Sequence, residues 1–292
     1  MSDAEAYAAN LTCWSGPVTL TRINGGISND NFLVDDSGRK YVVRINGDVP
    51  EHGVLRINDF NCNQAAAAVG VAPKVHHFED RALVVEYVPS HTLVEQDVRD
   101  DAMLVRILDL IKRTHIDGFR QVRGPVCAFW PFRVCRDYAC FLAENNSRIA
   151  PELTQIRDRI ECLEAAVGPV DLVLGHNDLL AANFLDQGDR LWLIDWEHAG
   201  FTSPLFDLAN LSSNNRLSSA QQEWLLETYF DRPVDDECRY RFFAMSAASL
   251  LREAMWSMVS EVSSKIEFDY IAYSDDFYAR FNKAFAAQTE FQ

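Results

Sequence analysis

The chain of 292 residues lacks any apolar run approaching the ~18 residues of a membrane-spanning helix, so no integral membrane contact is expected. It is short of positive charge. Its 27 Lys and Arg stand against 43 Asp and Glu, a formal charge of −16 that would repel a nucleic-acid backbone and sets nucleic acid aside as a partner. Cys-x-x-Cys is absent, and the seven cysteines (Cys13, Cys62, Cys127, Cys135, Cys140, Cys162, Cys238) are odd in number and scattered. That usage reads as reduced thiols in a cytoplasmic protein. The opening Met-Ser-Asp-Ala-Glu-Ala is acidic where a signal peptide would be basic. Neither Gly-x-x-x-x-Gly-Lys-Ser/Thr nor Gly-x-Gly-x-x-Gly occurs, which argues against a P-loop or a dinucleotide fold. There is no internal repeat and no low-complexity segment.

What remains is 48% hydrophobic and 24% charged, enough to bury a core in one large domain or two lobes. Most of the acidic excess falls after Ser90, which suits a small cationic partner as well as a solvated acidic surface. The first part is rich in β-formers. Strands are expected over Val18 to Asn24, Asn31 to Val34 and Lys40 to Ile45, with a tight turn at Asp35-Asp36-Ser37-Gly38. An alanine-rich helix is expected from Pro50 to Val69, stopped by Gly70, and two more strands cover Lys74 to Glu79 and Ala82 to Val88. From Asp100 the pattern turns helical: Asp100 to His115, Pro131 to Asn145, Pro151 to Val167, Ala220 to Phe230, Asp235 to Val262 and Ser274 to Ala287. The chain reads as α+β, with a β-rich lobe over residues 1–90 and a helical lobe over residues 91–292.

One island, Asp171 to Asp195, interrupts the helices. It reads Gly175-His176-Asn177-Asp178-Leu179-Leu180-Ala181-Ala182-Asn183 and then Ile194-Asp195-Trp196-Glu197. Phosphoryl transfer of the protein-kinase type needs an Asp facing the acceptor hydroxyl, an Asn five residues on for Mg²⁺, and a further Asp for the metal that bridges the phosphates. Asp178, Asn183 and Asp195 match those three parts, and His176 is expected to brace the loop through hydrogen bonds. Read singly, each is an ordinary loop residue. The first lobe supplies companions. Gly25-Gly26-Ile27-Ser28-Asn29 lies at the first hairpin, where a glycine-rich lid covers phosphates, although a plain turn uses the same residues. Arg44 stands where kinases carry a strand Lys, and Glu86-Tyr87-Val88 stands where an adenine meets the backbone between lobes.

These residues resemble the choline/ethanolamine kinase family, within the larger group that includes the aminoglycoside phosphotransferases, and the resemblance runs over nearly the whole chain. Trp256-Ser257 and Ile266-Glu267-Phe268-Asp269-Tyr270-Ile271-Ala272-Tyr273 extend it toward the C-terminus. The resemblance implies a bilobal protein-kinase-like fold, ATP and Mg²⁺ as cosubstrates, and choline or ethanolamine as acceptor. It implies nucleotide contacts from Gly25, Gly26, Ser28, Asn29, Arg44, Glu86 and Val88, with Asp59 at the place of the family's Glu that braces the strand cation. Metal ligation falls to Asn183 and Asp195, and the base to Asp178.

An aromatic cage for the ammonium group maps onto Trp256, Tyr270 and Tyr273, whose π-faces stabilise a cation that offers no hydrogen-bond donor. Glu197, beside the metal-binding strand end, adds a carboxylate. At Glu253 the animal-type choline kinases carry a second cage Trp; a carboxylate there attracts any ammonium and accepts hydrogen bonds from a primary amine. Two alternatives stand beside this reading: a kinase of another small amine or alcohol such as an aminoglycoside, and a nucleotide-binding pseudokinase module. The oligomeric state is left open, with a homodimer among the options.

Overall fold

A computed structural model describes residues 2–23 and 30–290. The segment carrying Gly25, Gly26, Ser28 and Asn29 lies outside the described residues. An N-terminal helix α1 (Asp3–Ala9) precedes strands β1 (Thr19–Ile23), β2 (Asp30–Asp36) and β3 (Arg39–Ile45). Helix α2 (Arg56–Ala68) and strands β4 (Val75–Glu79) and β5 (Ala82–Glu86) follow. The strands form an antiparallel sheet in the order β1-β2-β3-β5-β4. Ser37 and Gly38 both take positive φ, 56° and 88°, the geometry that a two-residue hairpin requires. The period-2 pattern of β3 then sorts its side chains. Tyr41, Val43 and Ile45 pack with Ala8 and Leu11 beneath the sheet, while Val42 and Arg44 face the cleft. The helix expected from Pro50 to Val69 is in two pieces, because Gly53 at φ 67° ends a 3₁₀ turn (Pro50–His52) before α2 begins.

Beyond the sheet lie β6 (His91–Thr92), α3 (Glu95–Val98), α4 (Asp101–Arg113), α5 (Phe119–Gln121), α6 (Pro131–Glu144) and α7 (Leu153–Val167). The catalytic segment is a set of short strands, β7 (Val173–Gly175), β8 (Phe184–Asp186), β9 (Leu191–Leu193) and β10 (Gly200–Thr202). β8 pairs with β6 and β9, and β7 pairs with β10. Helices α8 (Pro204–Asn215), α9 (Ser219–Phe230), α10 (Asp236–Ser263) and α11 (Tyr270–Glu290) complete the protein. The last begins at Tyr270, a turn earlier than its apolar pattern suggests, with Asp269 accepting from the backbone N–H of Ala272. The architecture is α+β. No helix among the described residues is long and apolar enough to cross a membrane, and all seven cysteines are free thiols.

Helix α8 was not legible in the sequence, and it holds the catalytic loop. Its Ser, Asn and Asp content is poor for a helix, but Ser203 caps it with Pro204 in the first turn, and every residue from Leu205 to Asn215 is buried. Asp207, 1% exposed, accepts hydrogen bonds from the backbone N–H groups of His176 (2.8 Å) and Asn177 (2.7 Å) and from His115 Nε2 (2.9 Å). One turn on, Asn210 Oδ1 accepts from the Leu179 N–H. These bonds hold Asn177 at φ 66°, in the left-handed region that costs a non-glycine residue about 1–2 kcal/mol.

Burial pushes the Asp207 carboxyl up, but the hydrogen bonds and charge of His115 and the N–H of His176 outweigh it and hold it below its ordinary value of 3.8. An acid lowered by folding adds stability above its unfolded pKa, and that stability fades as pH falls toward the folded value. Asp207→Asn is therefore expected to cost about 3 kcal/mol in urea unfolding at pH 7. The gap to wild type is expected to narrow as pH drops below the ordinary 3.8. Gly200 makes a second, steric demand on this segment. A methyl group there would strike the carbonyl oxygen of Cys127, which accepts from the N–H of Phe201 at 2.9 Å. Gly200→Ala is expected to lower stability by about 1–3 kcal/mol in the same assay.

Candidate active site

Asp178 sits at the tip of the loop leaving β7, and Asn183 closes a 3₁₀ turn five residues on. The Asn183 side-chain amide donates to the Asp178 carbonyl (2.8 Å) and to its Oδ2 (3.3 Å), which fixes the amide's orientation and turns its oxygen away from Asp178. The Ile194 N–H donates to the Asn183 carbonyl (3.0 Å), so the end of β9 brings Asp195 alongside. Asp195 is held at φ 69°. His176 and Trp196 provide the support: His176 Nε2 donates to the Ile194 carbonyl at 2.9 Å, and its ring meets the fully buried Trp196 edge-on at 4.8 Å. His176 thus braces the loop, and its pKa is lowered by burial.

Above this loop lies a cavity of about 340 Å³, lined by Val42, Val85, Leu185 and Ile194 and by the Glu86-Tyr87-Val88 crossing. Arg44 and Asp195 close its inner end. A cavity with apolar walls and charged groups in its lining suits a nucleotide. Arg44 Nη2 bonds Asp195 Oδ1 at 2.5 Å and lies 3.6 Å from Glu197, and its Nη1 lies 3.7 Å from Asp59. Asp59 is therefore within ion-pair distance of Arg44 despite its shorter side chain, but it is closer to Arg56, at 3.2 Å. Arg56 also bonds Glu197 at 3.2 Å. Arg56 has no signature in the sequence beyond its i,i+3 spacing to Asp59 in the first turn of α2. Burial works against the Arg44 charge, but Asp195, Asp59 and Glu197 outweigh it and raise its pKa. Burial raises Asp59 to about 6 against the pull of Arg44 and Arg56, and it also raises Asp195.

Two cations and three carboxylates leave this cluster one negative charge in excess, with Asp178 beside it. The side-chain donors that Asn183 and Asp195 offer are hard oxygens, the chemistry that Mg²⁺ selects. Among the described residues no cluster of three His, Cys, Asp or Glu has metal-binding geometry, so a metal here would take one carboxylate and one amide, with phosphate and water completing its shell. The residues present fit that ion.

On the acceptor side the predicted cage is only partly assembled. Trp256 lies 6.3 Å from Tyr270 and 6.2 Å from Tyr273, both edge-on. Trp256 and Tyr270 line a cavity of about 260 Å³ together with Glu197, His52 and His198, and exposed Lys265 lies at its edge. Tyr273 is not part of that wall, because its hydroxyl is tied to Glu253 Oε1 at 2.8 Å. Glu253, the other residue expected on this side, is engaged by the protein itself. It is 3% exposed, its other oxygen accepts from Arg252 at 2.6 Å, and it faces its two protein partners instead of open acceptor space.

His52 and His198 were not anticipated. Burial, then the charge of Arg252, pushes His52 down to about 4 and His198 well below its ordinary value. Both are neutral at pH 7. Glu197 therefore shares the cavity wall with two uncharged imidazoles, and the His52 ring lies tilted against Trp256 at 5.6 Å. His52 is far from the others in the chain, and His198, although next to Glu197, belongs to no spacing pattern.

The sequence profile of choline/ethanolamine kinases matches residues 20–224. The LicA protein of Haemophilus influenzae is 33% identical over 215 residues, which cover 70% of this chain and 61% of LicA. A probable ethanolamine kinase of Arabidopsis thaliana is 24% identical over 91% of this chain and 78% of its own length. The crystal structure of a choline/ethanolamine kinase family protein from Mesorhizobium loti superposes with a TM-score of 0.76 at 25% identity, over 99% of this chain and 97% of that one. The profile match spans well over half of the chain, and the sheet, the catalytic loop and the cleft are those of a kinase-like fold. The chain belongs to the choline/ethanolamine kinase family.

Proposed function

We propose that the protein transfers the γ-phosphoryl group of ATP to the hydroxyl of a small amino alcohol, choline or ethanolamine. The observation that carries the reading is that Asp178 and Asn183, bonded to each other, are tied through the Ile194 N–H to the strand end that places Asp195 in the wall of a nucleotide-sized cavity, beside Arg44. ATP would lie with its base between Val42 and Ile194 against the Glu86 to Val88 crossing, and its phosphates toward Arg44. Mg²⁺, held by Asn183 and Asp195, supplies charge neutralisation to the phosphates when bound.

Asp178 orients the acceptor hydroxyl and accepts its proton as the phosphoryl group leaves ATP. Its own environment suits that task. Burial raises its carboxyl to about 7, Arg252 opposes the rise, and Glu253, Asp195 and Glu197 add to it. A base whose pKa lies near the working pH gives the best combination of ionised fraction and proton affinity. Arg44 is placed for positioning and electrostatics, which provide most of the catalysis when the transition state is loose.

The ammonium group of the acceptor would sit by Trp256, Tyr270 and Glu197, where an aromatic face and a carboxylate both attract a cation. A cavity of about 260 Å³ favours one small amino alcohol over a multi-ring aminoglycoside. A pseudokinase reading is disfavoured by the presence of all three oxygen-bearing residues.

A coupled ADP-release assay with Mg²⁺-ATP and choline, ethanolamine or no acceptor tests the reading. Turnover is expected with at least one of the two amino alcohols. Asp178→Ala is expected to lower kcat by about 100-fold or more while nucleotide affinity stays near that of wild type. Wild-type-like kcat in this variant removes Asp178 as the base. Asp195→Ala and Asn183→Ala are expected to abolish Mg²⁺-dependent turnover in the same assay. Trp256→Ala is expected to raise the acceptor KM about ten-fold with little change in the KM for ATP.

A further inference from the structure

Arg252, midway along α10, is 1% exposed, although arginine is seldom buried unless it is paired. Its neighbours are mostly uncharged. The Phe129 ring lies 5.8 Å from its guanidinium carbon, and Tyr138 and Cys135 of α6 are close enough to feel its charge. Its Nη1 donates to Glu253 Oε2 at 2.6 Å and reaches Asp178 Oδ1 at 3.4 Å, while Nε and Nη2 have no protein partner. A leucine or methionine would fill this place without desolvating a cation. A carboxylate bound to an acceptor molecule does not account for the charge, because both unpartnered nitrogens are closed off from any cavity.

The contacts form a line. Tyr273 donates to Glu253 Oε1, Glu253 Oε2 holds Arg252, Arg252 reaches Asp178 Oδ1, and Asn183 donates to Asp178 Oδ2 at 3.3 Å. The two oxygens of Asp178 are thus gripped from opposite sides, by the end of the catalytic loop and by α10. We infer that Arg252 is a positioning residue: held by Glu253, which Tyr273 holds in turn, it fixes the plane of the Asp178 carboxylate against the acceptor hydroxyl. The aromatic face of α11 beside the acceptor cavity is thereby joined to the base by three hydrogen-bonded side chains. Arg252 touches no substrate in this arrangement and acts through Asp178. The inference rests on the phosphoryl-transfer reading and deepens it, since it gives Glu253 a role in orienting the base in place of direct contact with the ammonium group.

The test compares kcat and both KM values of wild type, Arg252→Gln, Arg252→Lys and Tyr273→Phe, with thermal melting as the control for folding. Arg252→Gln is expected to lose about ten-fold or more in kcat while the KM for ATP stays within about two-fold. Arg252→Lys keeps the charge but cannot grip two carboxylates as a planar fork does, so it is expected to recover part of that loss. Tyr273→Phe is expected to lower kcat by less than Arg252→Gln does, and the Tyr273→Phe/Arg252→Gln double variant to lose less than the product of the two single losses, as befits members of one line.

A kcat within two-fold of wild type in Arg252→Gln overturns the inference, as does a loss that Arg252→Lys does not relieve. If Arg252→Gln does not fold, Arg252→Lys decides, because full wild-type kcat in that variant is then the overturning result. If wild type phosphorylates neither choline nor ethanolamine, the functional reading fails by itself. Crystals of wild type and Arg252→Lys then settle the inference without turnover: an unmoved Asp178 carboxylate overturns it, and one rotated away from Asn183 upholds it.

Discussion

The ion pair between Arg44 and Asp195, at 2.5 Å, is the contact on which the cleft depends. Arg44 belongs to a strand of the sheet and Asp195 to the end of β9, so this bond ties the β-rich part of the protein to the catalytic segment. Charges this deep are stable only in company, since each loses its hydration and must be repaid by close partners. Asp59, Arg56 and Glu197 provide that company, and their placement follows: α2 must lie over the cleft face of the sheet, and the chain after β9 must turn back beneath it. The cluster keeps one net negative charge. That residue of charge makes the site attractive to a divalent cation even though the protein as a whole carries −16 and repels a nucleotide at long range.

The cavity walled by Trp256 and Tyr270 obeys a different constraint. Its polar groups are arranged to stay neutral or negative: His52 and His198 are driven to the uncharged form by burial, and the Glu197 carboxylate lies beside His198 in the same wall. Nearby cations are either inside ion pairs, as Arg252 is with Glu253, or at the exposed rim, as Lys265 is. Trp256 packs against His52 on one side and meets Tyr270 and Tyr273 edge-on, so the aromatic face available to an ammonium group is fixed by rings that are themselves braced. The two cavities meet at Glu197, which lines the one beside Trp256 and lies 3.6 Å from Arg44.

The catalytic loop illustrates how a strained conformation is sustained. Asn177 and Asp195 both occupy the left-handed region, where a side chain other than glycine is disfavoured. Asp207 gathers the N–H groups of His176 and Asn177, and the buried Trp196 fixes the ring of His176, so neither residue can relax without breaking several bonds at once. The strain is local and its support is distributed over α8, the residues just after β9 and the turn that follows α4.

The sequence by itself determined the parts whose signals are local. Alternation of apolar residues set the strands and the inward face of Tyr41, Val43 and Ile45. The spacing from Asp178 to Asn183 marked the loop, because a short turn between two strands is a matter of neighbouring residues. Helix α8 escaped notice, since Asn and Ser make poor helix formers and only burial on every side stabilises them there. The remaining roles were decided by tertiary structure. Asp207, Arg252 and His52 act through contacts 30, 74 and 208 residues away in sequence, and no period or spacing connects such positions. Glu253 shows the difference most plainly. Its residue type suggested a contact for a primary amine, but which way a carboxylate faces depends on its partners, and packing gave both of its oxygens to Arg252 and Tyr273.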